Sequence, residues 1–148
     1  MYRWSKKSRD IITTTDHIIQ LWADELIARS KIDLAIHYTG GRRTAELQNQ
    51  LFKKGVSKAD GYEKKSYHQT GKAIDICAYV NGHISWNFER LCYIGGLGLE
   101  VFEDLKDQGV LPDGIYLHWG GLWSFKDDGM GWDKGHFELR DKPQIPKA

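Results

Sequence analysis

A chain of 148 residues that is 41% hydrophobic and 28% charged has enough apolar material for one core, so a single domain over residues 1–148 is expected. Its net charge of +1, without a long run of one sign, excludes a nucleic-acid binder that works by bulk charge. No stretch approaches the roughly 18 apolar residues of a membrane span, and the basic start Met1–Lys7 lacks the apolar run of a secretory signal, so synthesis in the cytoplasm is expected.

In chain order, residues 8–30 carry Ile11, Ile12, Ile18, Ile19, Trp22, Leu26 and Ile27 close to helical period and predict a helix. The stiff Thr13-Thr14-Thr15 run weakens its first part and offers Thr15 or Asp16 as a later N-cap. Residues 33–38 read as a short strand broken by Gly40-Gly41. Thr44 caps a helix over about 45–54 that Gly55 ends, and residues 56–66 read as a polar surface loop. A strand over 72–80 turns at Asn81-Gly82 into a return strand at 83–86.

Asn87 then caps a helix over about 88–108. Gly95, Gly96 and Gly98 inside it signal either close packing or a break. Leu111–Gly114 is a turn, 115–119 a strand, 120–132 a long glycine- and tryptophan-rich loop, and 135–140 the last strand. The class is α+β: a small, mostly antiparallel sheet packed against helices. Cys77 and Cys92 lack C-x-x-C spacing and read as buried thiols. A strand through Asp75 and Cys77 puts both on one face.

The chemistry concentrates in two segments. Ser66–Asp75 places His68 and Asp75 on either side of Gly71, a spacing that suits a loop feeding a strand rather than one helical face. Asp133-Lys134-Gly135-His136 adds a second imidazole and another acid. Two imidazoles and one carboxylate leave one position of a Zn²⁺ ion open, as a catalytic site requires, and they suit zinc better than harder ions. On the last strand His136 and Glu138 share a face opposite Phe137 and Leu139. This points His136 into the site and makes Glu138 its supporting partner. Asp133 is the proton carrier, and Arg42 or Arg43 the cation for a developing oxyanion. His17, His37, His83 and His118 stand alone and carry no ligand pattern.

The combination resembles a known family. Gly41-Arg42-Arg43-Thr44 with Gln48, Leu51, Phe52 and Gly55 is one block. The S-x-H-x-x-G-x-A-x-D motif at Ser66–Asp75 is a second, Trp119-Gly120-Gly121 with Trp123 a third, and Trp132–Leu139 the last. From about Tyr38 to Leu139 the chain is similar to the zinc peptidases that comprise D-alanyl-D-alanine carboxypeptidases, vancomycin-resistance D,D-dipeptidases and phage L-alanyl-D-glutamate endopeptidases. The Hedgehog signalling domain shares their fold.

The resemblance implies that His68, Asp75 and His136 bind zinc and that Asp133 is the general base and acid. Arg43 becomes the substrate-polarising residue with Arg42 as its rival, and Ser66 and Gln48 line the substrate. An aspartate rather than a glutamate at 133, the Asn81-Gly82 hairpin and the missing signal point to the phage group. Leu122 departs from the acid that the family often places before the loop tryptophan. Asp127-Asp128-Gly129 is a possible trace of a Ca²⁺-responsive loop, with a solvated turn as its simpler reading.

The expected function is therefore a phage-type endolysin that cleaves the L-alanyl-D-glutamate bond of the peptidoglycan stem peptide. It is expected to act as a monomer without a separate wall-binding domain, and to reach the wall through a holin. A D,D- or L,D-carboxypeptidase is the enzymatic alternative. A zinc-stabilised binding module without turnover is the alternative of another class.

Overall fold

The run of apolar residues at the N-terminus forms two helices rather than one. The computed structural model, which describes residues 1–123 and 131–145, shows why. Helix α1 (Lys6–Ile12) stops where the hydroxyls of Thr13, Thr14 and Thr15 turn back to donate to the carbonyls of Asp10, Ile11 and Ile12 at 2.6–2.7 Å. Helix α2 (His17–Arg29) starts again at Asp16, whose carboxylate accepts the Ile18 N–H at 2.9 Å.

Strand β1 is only Leu34–Ala35. Helix α3 (Ala45–Lys53) carries the expected Thr44 cap, with the hydroxyl accepting from the Leu47 N–H. A 3-10 turn over Tyr67–Thr70, not foreseen, leads into β2 (Ala73–Asp75). Then come β3 (Cys77–Val80), β4 (His83–Ser85), helix α4 (Phe88–Asp107) capped by Asn87, β5 (Tyr116–Trp119) and β6 (His136–Arg140).

The expected strand 72–80 is divided at Ile76 between two antiparallel three-stranded sheets, ordered β1-β3-β4 and β2-β6-β5. The backbone changes partner there. Asp75 N–H donates to Gly40, Ile76 N–H to Gly135, and Tyr79 N–H to Asp33. Asp75 and Cys77 accordingly belong to different sheets, not to one face of one strand. Cys77 is buried against the Ala35 carbonyl, with burial pushing its thiol up to about 12, while Cys92 is half-buried; both are free.

Helices α2 and α4 cover the sheets through Trp22, Leu26, Ile94, Val101 and Phe102, all buried with Ile74 and Phe137. Helix α4 runs unbroken past its glycines. A Cβ at Gly95 would fall 2.2 Å from the Trp119 ring, and one at Gly98 3.0 Å from both Phe137 and Trp22. Two of the three glycines therefore let the helix close onto the β2-β6-β5 sheet. Gly96 meets nothing within 4 Å.

Candidate metal centre

Register brings the second sheet's polar residues together. β2 and β6 pair so that Asp75 lies directly across from His136, and Ala73 across from Glu138. The Phe137 and Leu139 side chains go to the core, as strand alternation requires. His68 arrives from the 3-10 turn. The Ser66 hydroxyl accepts the His68 N–H at 3.2 Å, while the Gln69 side chain accepts the Ser66 N–H at 2.9 Å, a reciprocal capping box. Gly71 closes the turn at φ +73°, in the left-handed region, and its carbonyl accepts the Asp16 N–H at 2.8 Å.

The ring orientations follow from their outer partners. His68 Nδ1 donates to the Gly41 carbonyl at 2.9 Å, which leaves the Nε2 lone pair facing inward. His136 Nε2 donates to Glu138 Oε1 at 2.7 Å, leaving Nδ1 facing inward. Glu138, itself buried, is held in turn by Arg140 Nε at 2.5 Å. His68 Nε2 and His136 Nδ1 are 3.2 Å apart, and Asp75 Oδ1 is 3.2 Å from the first and 3.0 Å from the second. A tetrahedral zinc with ligand bonds of about 2.0 Å has edges of about 3.3 Å. Three acceptors converging at this spacing repel one another unless a cation stands among them, so the donor set fits a metal ion.

The electrostatics say the same. Burial works against charge on His136, yet the Asp75 and Glu138 carboxylates outweigh it and push the ring up to about 10. Burial keeps His68 below the ordinary histidine value. Burial also opposes charge on Asp75, but the two imidazoles hold its carboxyl well below the usual carboxylate range. Asp133 Oδ2 lies 4.0 Å from His136 Nδ1. Its burial, and the Asp75 charge after it, push its carboxyl up to about 6.

Arg43 is pinned rather than free. Its Nε donates to the Thr39 carbonyl (2.7 Å), one Nη to Gln48 Oε1 (3.0 Å) and the other to Asp75 Oδ2 (2.8 Å). Among the described residues three of its five N–H groups are used, and two are left.

An open cleft of about 1010 Å³ lies over the cluster, and Arg43, Ser66, His68, Asp75, Asp133 and His136 are part of its wall. Two expected substrate residues are not. Arg42 is exposed and outside the cleft lining; among the described residues its backbone N–H alone is engaged, with Thr14 Oγ1 at 3.0 Å. Gln48 is fully buried behind Arg43 and touches no cleft surface, because both ends of its amide are taken by protein groups. Its place is that of a positioning residue. The Asp127-Asp128-Gly129 segment, with its calcium reading, lies outside the described residues.

One feature escaped sequence reasoning. The Trp123 ring sits 5.0 Å from the His136 ring, and Trp132 5.6 Å from Trp123. Both tryptophans stand in the motif blocks quoted above, but their stacking towards His136 is made by folding.

Comparison with known proteins agrees with this geometry. The family model described as phage L-alanyl-D-glutamate peptidase matches residues 1–140. The L-alanyl-D-glutamate peptidase of Escherichia phage T5 is 30% identical, over 93% of this chain and 98% of that protein. The crystal structure of the L-Ala D-Glu endopeptidase ChiX of Serratia marcescens superposes with a TM-score of 0.66 at 21% identity, covering 95% of this chain and 90% of that one. At that identity the likeness is one of fold, and it supports the α+β reading.

Proposed function

Because the chain belongs to the phage L-alanyl-D-glutamate peptidase family, we propose that it is a zinc-dependent endolysin that hydrolyses the L-alanyl-D-glutamate bond of the peptidoglycan stem peptide. The observation that carries the reading is the convergence of His68 Nε2, Asp75 Oδ1 and His136 Nδ1 within 3.2 Å of one another, at the wall of an open cleft.

When bound, zinc supplies a Lewis acid for the scissile carbonyl and brings the pKa of a water from about 15.7 towards about 7. The protein supplies the rest. His68 and His136 present neutral nitrogens, oriented by Gly41 and Glu138, and Asp75 brings the one negative charge. Asp133, raised to about 6, is matched to a group that must take a proton from the attacking water and give it to the leaving amine near neutral pH. Arg43 holds Asp75 with one Nη and keeps two N–H groups for the oxyanion that develops on the substrate. Ser66 fixes the backbone from which His68 projects.

In this reading residues 1–148 act as one catalytic domain, working as a monomer. The substrate lies outside the cell membrane, and among the described residues no helix is long and apolar enough to cross one. A holin-type pore is the route to the wall that goes with this reading. The test is digestion of purified sacculi by the zinc-loaded protein, with new termini identified by mass spectrometry. New L-alanine carboxyl and D-glutamate amino termini are expected. Free D-alanine would make the chain a carboxypeptidase, and no new termini would make it a binding module.

A further inference from the structure

The segment between α3 and the 3-10 turn reads as a plain polar loop in sequence, yet it forms one wall of the cleft. Lys54, Lys58, Lys64 and Lys65 all line the cavity that holds the metal cluster. Among the described residues none of the four pairs with a carboxylate. Lys58 Nζ lies 4.7 Å above the Trp132 ring. The chain carries a net charge of just +1, so four lysines on one wall are a local arrangement and not a reflection of composition. On the cluster side the acids Asp75 and Glu138 already have their own cations, Arg43 and Arg140.

The wall is also held in register with the cluster. Gln48 is fully buried and joins the two directly. Its Oε1 accepts from Arg43, which grips Asp75, and its amide nitrogen donates to Ser57 Oγ at 2.7 Å and to the Ala59 carbonyl at 2.9 Å. Asn49 donates to the Asp60 carbonyl, and Gln69, next to His68, to the Gly61 carbonyl, each at 2.9 Å. A loop tied at four points to the elements that carry the site presents its charges at fixed places.

We propose that this lysine wall is the subsite for carboxylates on the leaving half of the substrate, above all the free α-carboxylate of the D-glutamyl residue. The inference rests on the endopeptidase reading. Cleavage of an L-alanyl-D-glutamyl bond releases a residue that carries two carboxyl groups, of which a linear stem peptide uses one for its next bond. A negative charge therefore sits close to the scissile nitrogen, and a cationic wall beside the cluster complements it. Exposed lysines gain little from single ion pairs, so the discrimination is expected from the group together and to weaken with salt.

The experiment compares three soluble stem peptides with the zinc-loaded protein: one with all carboxylates free, one with only the D-glutamyl α-carboxyl amidated, and one with every carboxyl beyond the scissile bond amidated. Each is assayed with the wild type and with the variant carrying Lys54→Gln, Lys58→Gln, Lys64→Gln and Lys65→Gln. The wild type should favour the free acid about tenfold in kcat/KM, mainly through KM. The variant should turn over the fully amidated peptide within about twofold of wild type, which also reports its folding, while losing the preference. A preference that disappears on the first amidation assigns the wall to the D-glutamyl carboxylate. Loss only with the third peptide moves it to carboxylates further along and overturns the assignment to D-glutamate. The same acid-to-amide ratio in both proteins overturns the subsite altogether, while the endopeptidase reading stands. Failure of the wild type to cleave any of the three overturns both.

Discussion

The two small sheets have the same number of strands and the same antiparallel pairing, but opposite uses of polar side chains. The β1-β3-β4 sheet ends in a hairpin whose Tyr79 and Ile84 are exposed, and it buries only apolar groups and one thiol. The β2-β6-β5 sheet buries His118, His136 and Glu138, with Asp75 at its edge. Such groups are costly inside a protein unless each is partnered. Here the Lys142 carbonyl partners His118, and among the described residues Gly41, Glu138, Arg43 and Arg140 partner the rest of the cluster except for the three inward lone pairs. The lesson is that the second sheet is complete only with a cation in it, whereas the first is complete as it stands.

The contrast predicts a ranking of effects. His136→Ala removes a lone pair and leaves Glu138 Oε1 without its donor, while Oε2 keeps Arg140. Activity on sacculi should fall to background, by more than about 10²-fold, and metal analysis should find the ion lost. Retained stoichiometric metal would break the account of the cluster.

Asp133→Asn should lower activity by about 10²-fold or more with metal content unchanged. The same change should alter stability in the opposite sense. The Asp133 carboxyl is raised to about 6 in the folded protein against 3.8 ordinarily, so its contribution favours folding at low pH and is lost as pH rises between those values. The metal-free Asn variant should therefore be the more stable protein at pH 8, by about 1 kcal/mol, the figure being reduced for a side chain one-third open to solvent. Urea denaturation at pH 8 checks the sign.

Glu138→Gln keeps the shape but takes the charge from the Nε2 side of His136. Metal affinity should weaken by about 10- to 100-fold, read by competition with a chelator. Ile84→Thr in the other sheet keeps the β-branched form at an exposed position. It should move stability by no more than about 0.5 kcal/mol and leave metal affinity and turnover as they are. A large effect of Ile84→Thr on turnover would erase the contrast between the sheets.

What was legible in the sequence follows the same division between local and long-range causes. Helix α3 with its Thr44 cap, helix α4 with its Asn87 cap, and the Asn81-Gly82 hairpin were readable because each is decided by residues within a few positions. Asn81 and Gly82 indeed take positive φ. The division of 72–80 at Ile76 was not readable, because Gly40, Gly135 and Asp33 decide it from elsewhere in the chain. The break after Ile12 depended on three threonine hydroxyls turning inward, which the Thr run hinted at without fixing.

In the site, the histidines and acids stood out by motif, and Glu138 by strand alternation. The resemblance favoured Arg43 and kept Arg42 as a rival; in space the two differ plainly, one held by Thr39, Gln48 and Asp75, the other facing solvent. Gln48 reads as a substrate residue only through the family resemblance, whereas in the fold it is completely buried and bonded to Arg43, Ser57 and Ala59.

The most direct test of the central claim is a zinc titration of the metal-stripped protein, with sacculus cleavage as the readout. Activity should be absent at the start, rise linearly and level off at about one zinc per chain, as one tetrahedral site of three protein ligands requires. Full activity in the stripped protein, held in the presence of chelator, would contradict the account.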